Sequence, residues 1–334
     1  MLVSIIVNNF NYASFLSDAI ESALQQDYPH LEVIVVDDGS TDNSRQIIAS
    51  YGNRIIPIYK ENGGQGSTFN TGFSVARGEL ICFLDADDVF LPNKVSNVVQ
   101  AYNRNPSASL IYHRLKLVDI HKNVSGDPWP SVIFRGDIRS RVERTGGWWP
   151  RPMTSGLCPS RTFLRKVLPV PADKNRLCAD GYLAGLAPFF GPVIGLEEAL
   201  AVYRLHDASY WSLHGLSFEQ ECQQRLERLI TEFHQVNDVL KRHLSTPPTM
   251  SLEDNLRYQQ WRFAARESHS RLKVIKAVIC TQTLPISMKL REICYPMRWP
   301  TPARSFIFPW PSWTSEGQQL YWTGKASVLG IAKV

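Results

Sequence analysis

At the usual ~150 residues per domain, a chain of 334 residues is expected to hold about two domains. Apolar residues make up 44% and charged residues 20%, which excludes a wholly disordered chain. The net charge of +5 is uneven, −1 over residues 1–216 and +6 over 217–334, and predicts a boundary near 216 with a basic surface beyond it. No stretch reaches the ~18 uninterrupted apolar residues of a membrane-spanning helix, since the most apolar late run, 274–286, contains Lys276 and Pro285. The start has no basic leader, and its apolar run stops at Asn8. Six cysteines (Cys82, Cys158, Cys178, Cys222, Cys280, Cys294) lack Cys-x-x-Cys or Cys/His spacing, which argues against zinc and for reduced thiols. A soluble, cytoplasmic protein is expected.

The first 115 residues alternate strand and helix. Short apolar runs at 4–7, 33–36, 55–59, 80–84 and 109–113 read as buried strands. Between them, Asn11 is placed to cap a helix carrying Phe15, Leu16, Ala19, Ile20, Ala23 and Leu24. Further helices run to about Tyr51, open around 64–66 with Phe69 and Phe73, and follow Pro92 with Val95, Val98, Val99 and Tyr102 inward. Helices of this length between buried strands predict an α/β fold with a mostly parallel sheet covered on both faces. Residues 119–175 read as irregular. An amphipathic helix is predicted over 217–244, a second over 252–280, and a Pro/aromatic tail after that.

Ligands of open parallel sheets sit beyond the carboxyl ends of the strands. Asn8, Asn9, Phe10 and Asn11 follow the first strand, Asp37 and Asp38 the second, and Asp85-Ala86-Asp87-Asp88 the fourth. Phe10 can stack on a base and a carboxylate can accept a base N–H, although Asp-Asp-Gly-Ser also suits a turn feeding a helix. In extended chain Asp85 and Asp87 point the same way, and two hard oxygen ligands suit Mg²⁺ or Mn²⁺ shared with a diphosphate. Trp148 and Trp149 suit either stacking on sugar faces or plugging a gap between layers. Gln259 to Phe263 superficially matches a motif of processive polysaccharide synthases, but its place in a basic helix favours coincidence.

The runs VSIIVNNFN (3–11), EVIVVDDGSTD (32–42), NGG (62–64), NTG (70–72) and RGELICFLDADD (77–88) together resemble glycosyltransferase family 2, the GT-A-fold sugar transferases. Weaker similarity continues through TSG (154–156), CAD (178–180) and YRLH (203–206). The resemblance implies a GT-A domain over 1–216, with a nucleotide-binding half at 1–115 and an acceptor half at 116–216. A basic helical extension over 217–334 follows it. Phe10 and Asp38 match positions that hold the nucleobase, and Asn8, Asp37, Asn62, Gly63 and Ala86 fall in the same donor site. Asp85 and Asp87 match the Asp-x-Asp motif, His206 a late histidine that completes the metal and diphosphate site, and Asp180 the catalytic carboxylate. Thr154, Ser155, Gly156, Trp148 and Trp149 are candidates for the acceptor side. The sequence departs from the pattern at Asn8 (commonly Pro or Thr), Phe69 (commonly Arg) and Ala179 (often Glu).

An acceptor hydroxyl must lose its proton as it attacks, and a carboxylate in reach is its natural base. One base, one Mn²⁺ or Mg²⁺ and no second nucleophile imply single displacement with inversion. The expected partners are a UDP-, dTDP- or GDP-sugar donor and a carbohydrate or lipid-linked acceptor. Peripheral membrane contact through 257–313 and a homodimer are further expectations, and nucleic acid is not. A sugar nucleotidyltransferase is the alternative enzyme, disfavoured because residues 8–12 hold neither Gly nor Lys/Arg. A non-catalytic glycan- or nucleotide-binding module is the third reading.

Overall fold

Short runs of β-branched and aliphatic residues bounded by turn residues suit strands covered on both sides. The computed structural model describes residues 1–119, 123–124, 126–206 and 218–265. Strands β1 (Val3–Asn9), β2 (Leu31–Asp37), β3 (Ile56–Tyr59) and β4 (Leu80–Asp85) form an all-parallel sheet in the order β3-β2-β1-β4. Ile5, Ile6, Val7, Ile34, Val35, Val36, Phe83 and Leu84 are fully buried, as a parallel sheet between helical layers requires. Helices α1 (Ala13–Leu24), α2 (Ser44–Ser50) and α3 (Gln65–Val75) make the crossovers. In α1 the buried residues are Leu16, Ala19, Ile20 and Ala23, one stripe at helical spacing.

A second, mixed sheet holds β5 (Val89–Phe90), β6 (Leu110–Asp119), β7 (Arg135–Gly136), β8 (Leu157–Pro159) and β9 (Val193–Leu205). Its order is β5-β9-β6-β8, with β7 also on β9, and only the β6–β9 pairing is parallel. A bridge between Leu80 and Ser160 joins β4 to the end of β8. The helices are α4 (Lys94–Arg104), α5 (Arg139–Arg144), α6 (Arg161–Val167), α7 (Ala179–Phe190), α8 (Phe218–His243) and α9 (Leu256–Ala264). None of the described helices is long and apolar enough to cross a membrane.

The chain divides into two compact units. The first comprises Met1–Glu143, Trp149–Leu205 and Thr231–Thr249, and so contains both sheets. The second gathers Arg144–Trp148, His206–Ile230 and the chain from Met250. Within it Cys222 and Ala265 are buried with Trp261 packed against them, and Asn255 Nδ2 donates to the Gly146 carbonyl at 2.9 Å.

Several local expectations are corrected. Asn11 does not cap α1. It adopts φ +58° and accepts the Thr41 N–H, while Asp42 accepts the N–H of Ala13 at 2.9 Å. Pro92 precedes α4 rather than sitting in its first turn, because Asn93 is the N-cap residue. Residues 119–175 are not wholly irregular, since β7, α5, β8 and α6 lie there, each too short to show a period. Of the helix expected over 252–280, the described part is a 3₁₀ turn, Leu252–Asp254, followed by α9, and residues 266–280 lie outside the described residues. The tail, and most of the basic stretch 257–304, lie outside the described residues.

Phe69, where the resemblance leads one to expect Arg, is fully buried on α3 and stacks on Phe83 of β4 with ring centroids 4.0 Å apart. It is core, not ligand contact. Phe69→Ala is expected to lower stability by about 3–5 kcal/mol. A urea midpoint shift equivalent to less than about 1 kcal/mol would contradict that packing role.

Candidate active site

Parallel register brings the polar ends of three strands side by side. Asn8 pairs with both Val36 and Asp85, and Asn9 with Asp37. The ladders run one residue past the strands, Asp38 N donating to the Asn9 carbonyl at 2.9 Å and Ala86 N to that of Asn8 at 3.1 Å. The edge is therefore built by backbone pairing.

At this edge Asp85, Asp87 and Asp88 bring carboxylate oxygens within 4.8 Å of one another. The expected mechanism for that convergence is wrong. Residues 86–87 form a turn in which Asp88 N donates to the Asp85 carbonyl at 3.0 Å, so extended-chain alternation does not align them. The turn adds Asp88 to the group. Burial first, then the charges of Asp87 and Asp85, pushes the Asp88 carboxyl well above the ordinary range. Burial and the charge of Asp87 raise Asp85 to about 7. Crowded carboxylates, all hard oxygen donors, fit a divalent cation such as Mg²⁺ or Mn²⁺.

Buried groups support this triad from behind. Asn8 Nδ2 donates to Asp85 Oδ1 at 2.8 Å, which gives the departure from Pro or Thr a function. Ser155 Oγ accepts the Asp85 N–H at 3.2 Å and donates to Asp88 Oδ2 at 2.5 Å. Lys94, fully buried, donates to the Ser155 carbonyl at 2.9 Å and lies 3.1 Å from the Phe90 ring centroid. Ser155, expected on the acceptor side, is thus a buried support of the acidic edge, and Thr154 and Gly156, expected there too, are buried beside it.

The second cluster splits into two roles. Asp37 is fully buried and takes Asn9 Nδ2, Ser40 N and Arg45 Nε, so it shapes the turn and does not line the donor site as expected. Asp38 accepts Lys60 Nζ at 2.5 Å and Gly63 N at 2.9 Å on one oxygen, and Gly64 N at 2.6 Å on the other. A carboxylate offers about four lone-pair positions, so one further donor can be accommodated. Arg176 hydrogen-bonds the Asn62 side chain, and Phe10 is 39% exposed nearby in sequence to this edge.

Sequence comparison agrees with the geometry. The sequence model of "Glycosyl transferase family 2" matches residues 4–143. An uncharacterized glycosyltransferase of Nostoc sp. is 36% identical over 272 residues, 80% of this chain and 84% of its own length. The chain belongs to glycosyltransferase family 2. Among solved structures, S. aureus TarS in complex with UDP-GlcNAc matches 89% of this chain and 87% of its own at TM-score 0.52 and 18% identity. The mannosyltransferase PcManGT of Pyrobaculum calidifontis, in complex with GDP-Man and Mn²⁺, matches 91% and 82% at TM-score 0.52 and 17% identity. Both share the fold.

In this family 2 glycosyltransferase Asp180 lies in the first turn of α7, where a carboxylate complements the helix dipole. Its Oδ1 accepts the Gly181 N–H at 2.8 Å. Burial raises its pKa to about 6, and the charge of Glu232 adds to that while Arg151 opposes it. The charge of Asp180 also contributes to raising Asp85, so the two carboxyls are electrostatically linked. Arg151 pairs with Glu232 and donates to the Gly181 carbonyl at 3.1 Å. A Cβ at Gly181 would stand 2.3 Å from Glu232 Oε2, so glycine is what admits α8 so close to α7.

Glu232→Gln removes a negative charge that adds to the upward shift of Asp180. The acid limb of the pH–activity profile is therefore expected to move to lower pH; an unmoved limb would exclude this electrostatic link.

The remaining expectations are placed as follows. Trp149 is buried, its Nε1 donating to the Ala184 carbonyl at 3.2 Å and its ring edge-on to Tyr112. It plugs a gap and presents no face to a sugar. Trp148 is buried as well, at 9% exposure. His206, the first residue of the 206–230 segment of the second unit, is buried and is not one of the acidic group's three members. Gln259 bonds Glu253 and Arg262 pairs with Glu253, so that motif match is accounted for by local structure.

Proposed function

We propose that this enzyme is an inverting, metal-dependent transferase that moves a sugar from a nucleoside-diphosphate donor to a hydroxyl acceptor by single displacement. The observation that carries the reading is the convergence of the Asp85, Asp87 and Asp88 carboxylates within 4.8 Å at the sheet edge, with Asp180 near enough to raise Asp85. Phe10 and the remaining lone pair of Asp38 take the base, and UDP, dTDP and GDP are the candidate nucleotides. The UDP-GlcNAc and GDP-Man complexes of the two structural relatives support a donor of this class. Asp85 and Asp87 hold Mn²⁺ or Mg²⁺, which when bound supplies Lewis-acid stabilisation of charge on the leaving diphosphate. Mn²⁺ in the mannosyltransferase complex supports that assignment.

Asp180 accepts the proton of the acceptor hydroxyl as the oxygen attacks the anomeric carbon. Its pKa of about 6 leaves it ionised at pH 7 yet more basic than an exposed Asp. With no second nucleophile assigned, the displacement inverts the anomeric centre. The acceptor is a glycan or a lipid-linked sugar. The basic sequence from 257 onward seats the enzyme on an anionic membrane surface, a role tested by salt-sensitive co-sedimentation with anionic against neutral vesicles.

Calorimetry of UDP, dTDP and GDP with and without Mn²⁺ or Mg²⁺ tests the donor site. One nucleotide is expected to bind in a metal-dependent manner. Equal affinity with and without metal would reject the metal role, and no binding of any would reject the donor class.

A further inference from the structure

We infer that Gln65 is a positioning residue that couples the cation-side carboxylate Asp85 to the helix bearing Asp180; the inference rests on the function proposed above. Gln65 opens α3 directly after Gly64, which has φ +82° and whose Cβ, if present, would lie 2.5 Å from Arg176 Cα. Glycine there lets the start of α3 press against the segment leading into α7. The backbone N–H groups of Gln65 and Gly66 donate to the carbonyls of Arg176 and Asn175 at 2.8 and 2.9 Å. They satisfy donors that a helix start otherwise leaves unpaired.

From that position the side-chain amide makes three contacts. Nε2 donates to Asp85 Oδ1 at 3.2 Å and to Thr154 Oγ1 at 3.0 Å, and Oε1 accepts the N–H of Ala179 at 2.9 Å. Ala179 is the first residue of α7 and immediately precedes Asp180. The same Asp85 oxygen also accepts Asn8 Nδ2, so two amides fix the rotation of that carboxylate. One side chain thus sets the orientation of the cation ligand and anchors the first turn of the helix that carries the base.

Only a glutamine suits this place. Glu lacks the donors and would bring a negative charge against Asp85, Met has neither donor nor acceptor strength, and Asn is a methylene too short. Misplacement of about 1 Å between reacting groups costs ~10²-fold in rate, so a residue spanning both sides has large leverage without touching substrate.

The test compares wild type with Gln65→Met and Gln65→Glu by amide hydrogen exchange and by Mn²⁺ titration in the presence of UDP or GDP. In Gln65→Met the amides at the start of α7 should exchange about 10-fold faster or more, with those of β1 unchanged as a check on folding. Its Mn²⁺ midpoint should rise about 10–100-fold, as for other residues that orient a metal ligand. Gln65→Glu keeps an acceptor for Ala179 and should keep α7 protection. Wild-type exchange and an unchanged Mn²⁺ midpoint in Gln65→Met would overturn the proposal, as would loss of α7 protection in Gln65→Glu. The exchange arm needs neither metal nor turnover. Wild type that binds no metal with nucleotide would overturn the proposed function and the Asp85 half of the coupling, while the α7 half is still decided by exchange.

Discussion

Asp180→Asn is expected to keep donor binding within about twofold while lowering kcat by ~10²-fold or more. The substitution is nearly isosteric and retains an oxygen for the Gly181 N–H, so the first turn of α7 is preserved. It removes only the ability to accept a proton. The wild-type profile should fall on the acid side, where a base with a pKa near 6 becomes protonated. A cation on Asp85 places positive charge near Asp180 and moves that limb below its metal-free position. Unchanged turnover in Asp180→Asn would move the base elsewhere. Glu197 is then poorly placed, because it is engaged by Arg114 on β6, and Asp173 is exposed.

Asp87→Ala is expected to abolish metal-dependent nucleotide binding, weakening it by more than ~100-fold. Loss of a group that merely orients a ligand already costs about 10–100-fold, and removing a ligand should exceed that. Asp85 and Asp88 remain, but each is held by neighbours that fix it in place, Asn8 and Gln65 on Asp85, Ser155 and the Arg204 N–H on Asp88. Because Asp85 is raised to about 7, ligation must displace a proton from it at lower pH. Wild-type Mn²⁺ affinity should therefore increase as pH rises through about 7. Calorimetry at several pH values reads both effects, and metal-dependent binding retained by Asp87→Ala would remove it from the ligand set.

The sheet and the acidic edge were legible because local sequence determines them. Uninterrupted Val/Ile/Leu runs specify strands buried on two faces, and parallel pairing then aligns whatever follows them. Asp85 and Asp87 were found for that reason, though a turn rather than an extended strand brings them together. Asp88 was passed over because its alignment depends on that turn. The contacts of Gln65 cross 89 and 114 positions, to Thr154 and Ala179, and no periodicity or spacing encodes such a meeting. Glu232 is similar, arriving on a long amphipathic helix whose pattern specifies a buried stripe but not its neighbour. The sequence leaves Trp149 open between stacking on a sugar and filling a gap, since an aromatic side chain looks the same in either role.

The central claim, single displacement from a nucleotide-sugar at this acidic edge, is tested most directly by ¹H NMR of wild-type enzyme with Mg²⁺, an acceptor and a panel of UDP-, dTDP- and GDP-sugars. The account predicts that one donor is consumed, with nucleoside diphosphate released in step with a glycoside of opposite anomeric configuration. A product of retained configuration, or consumption unaffected by chelating the metal, would contradict it.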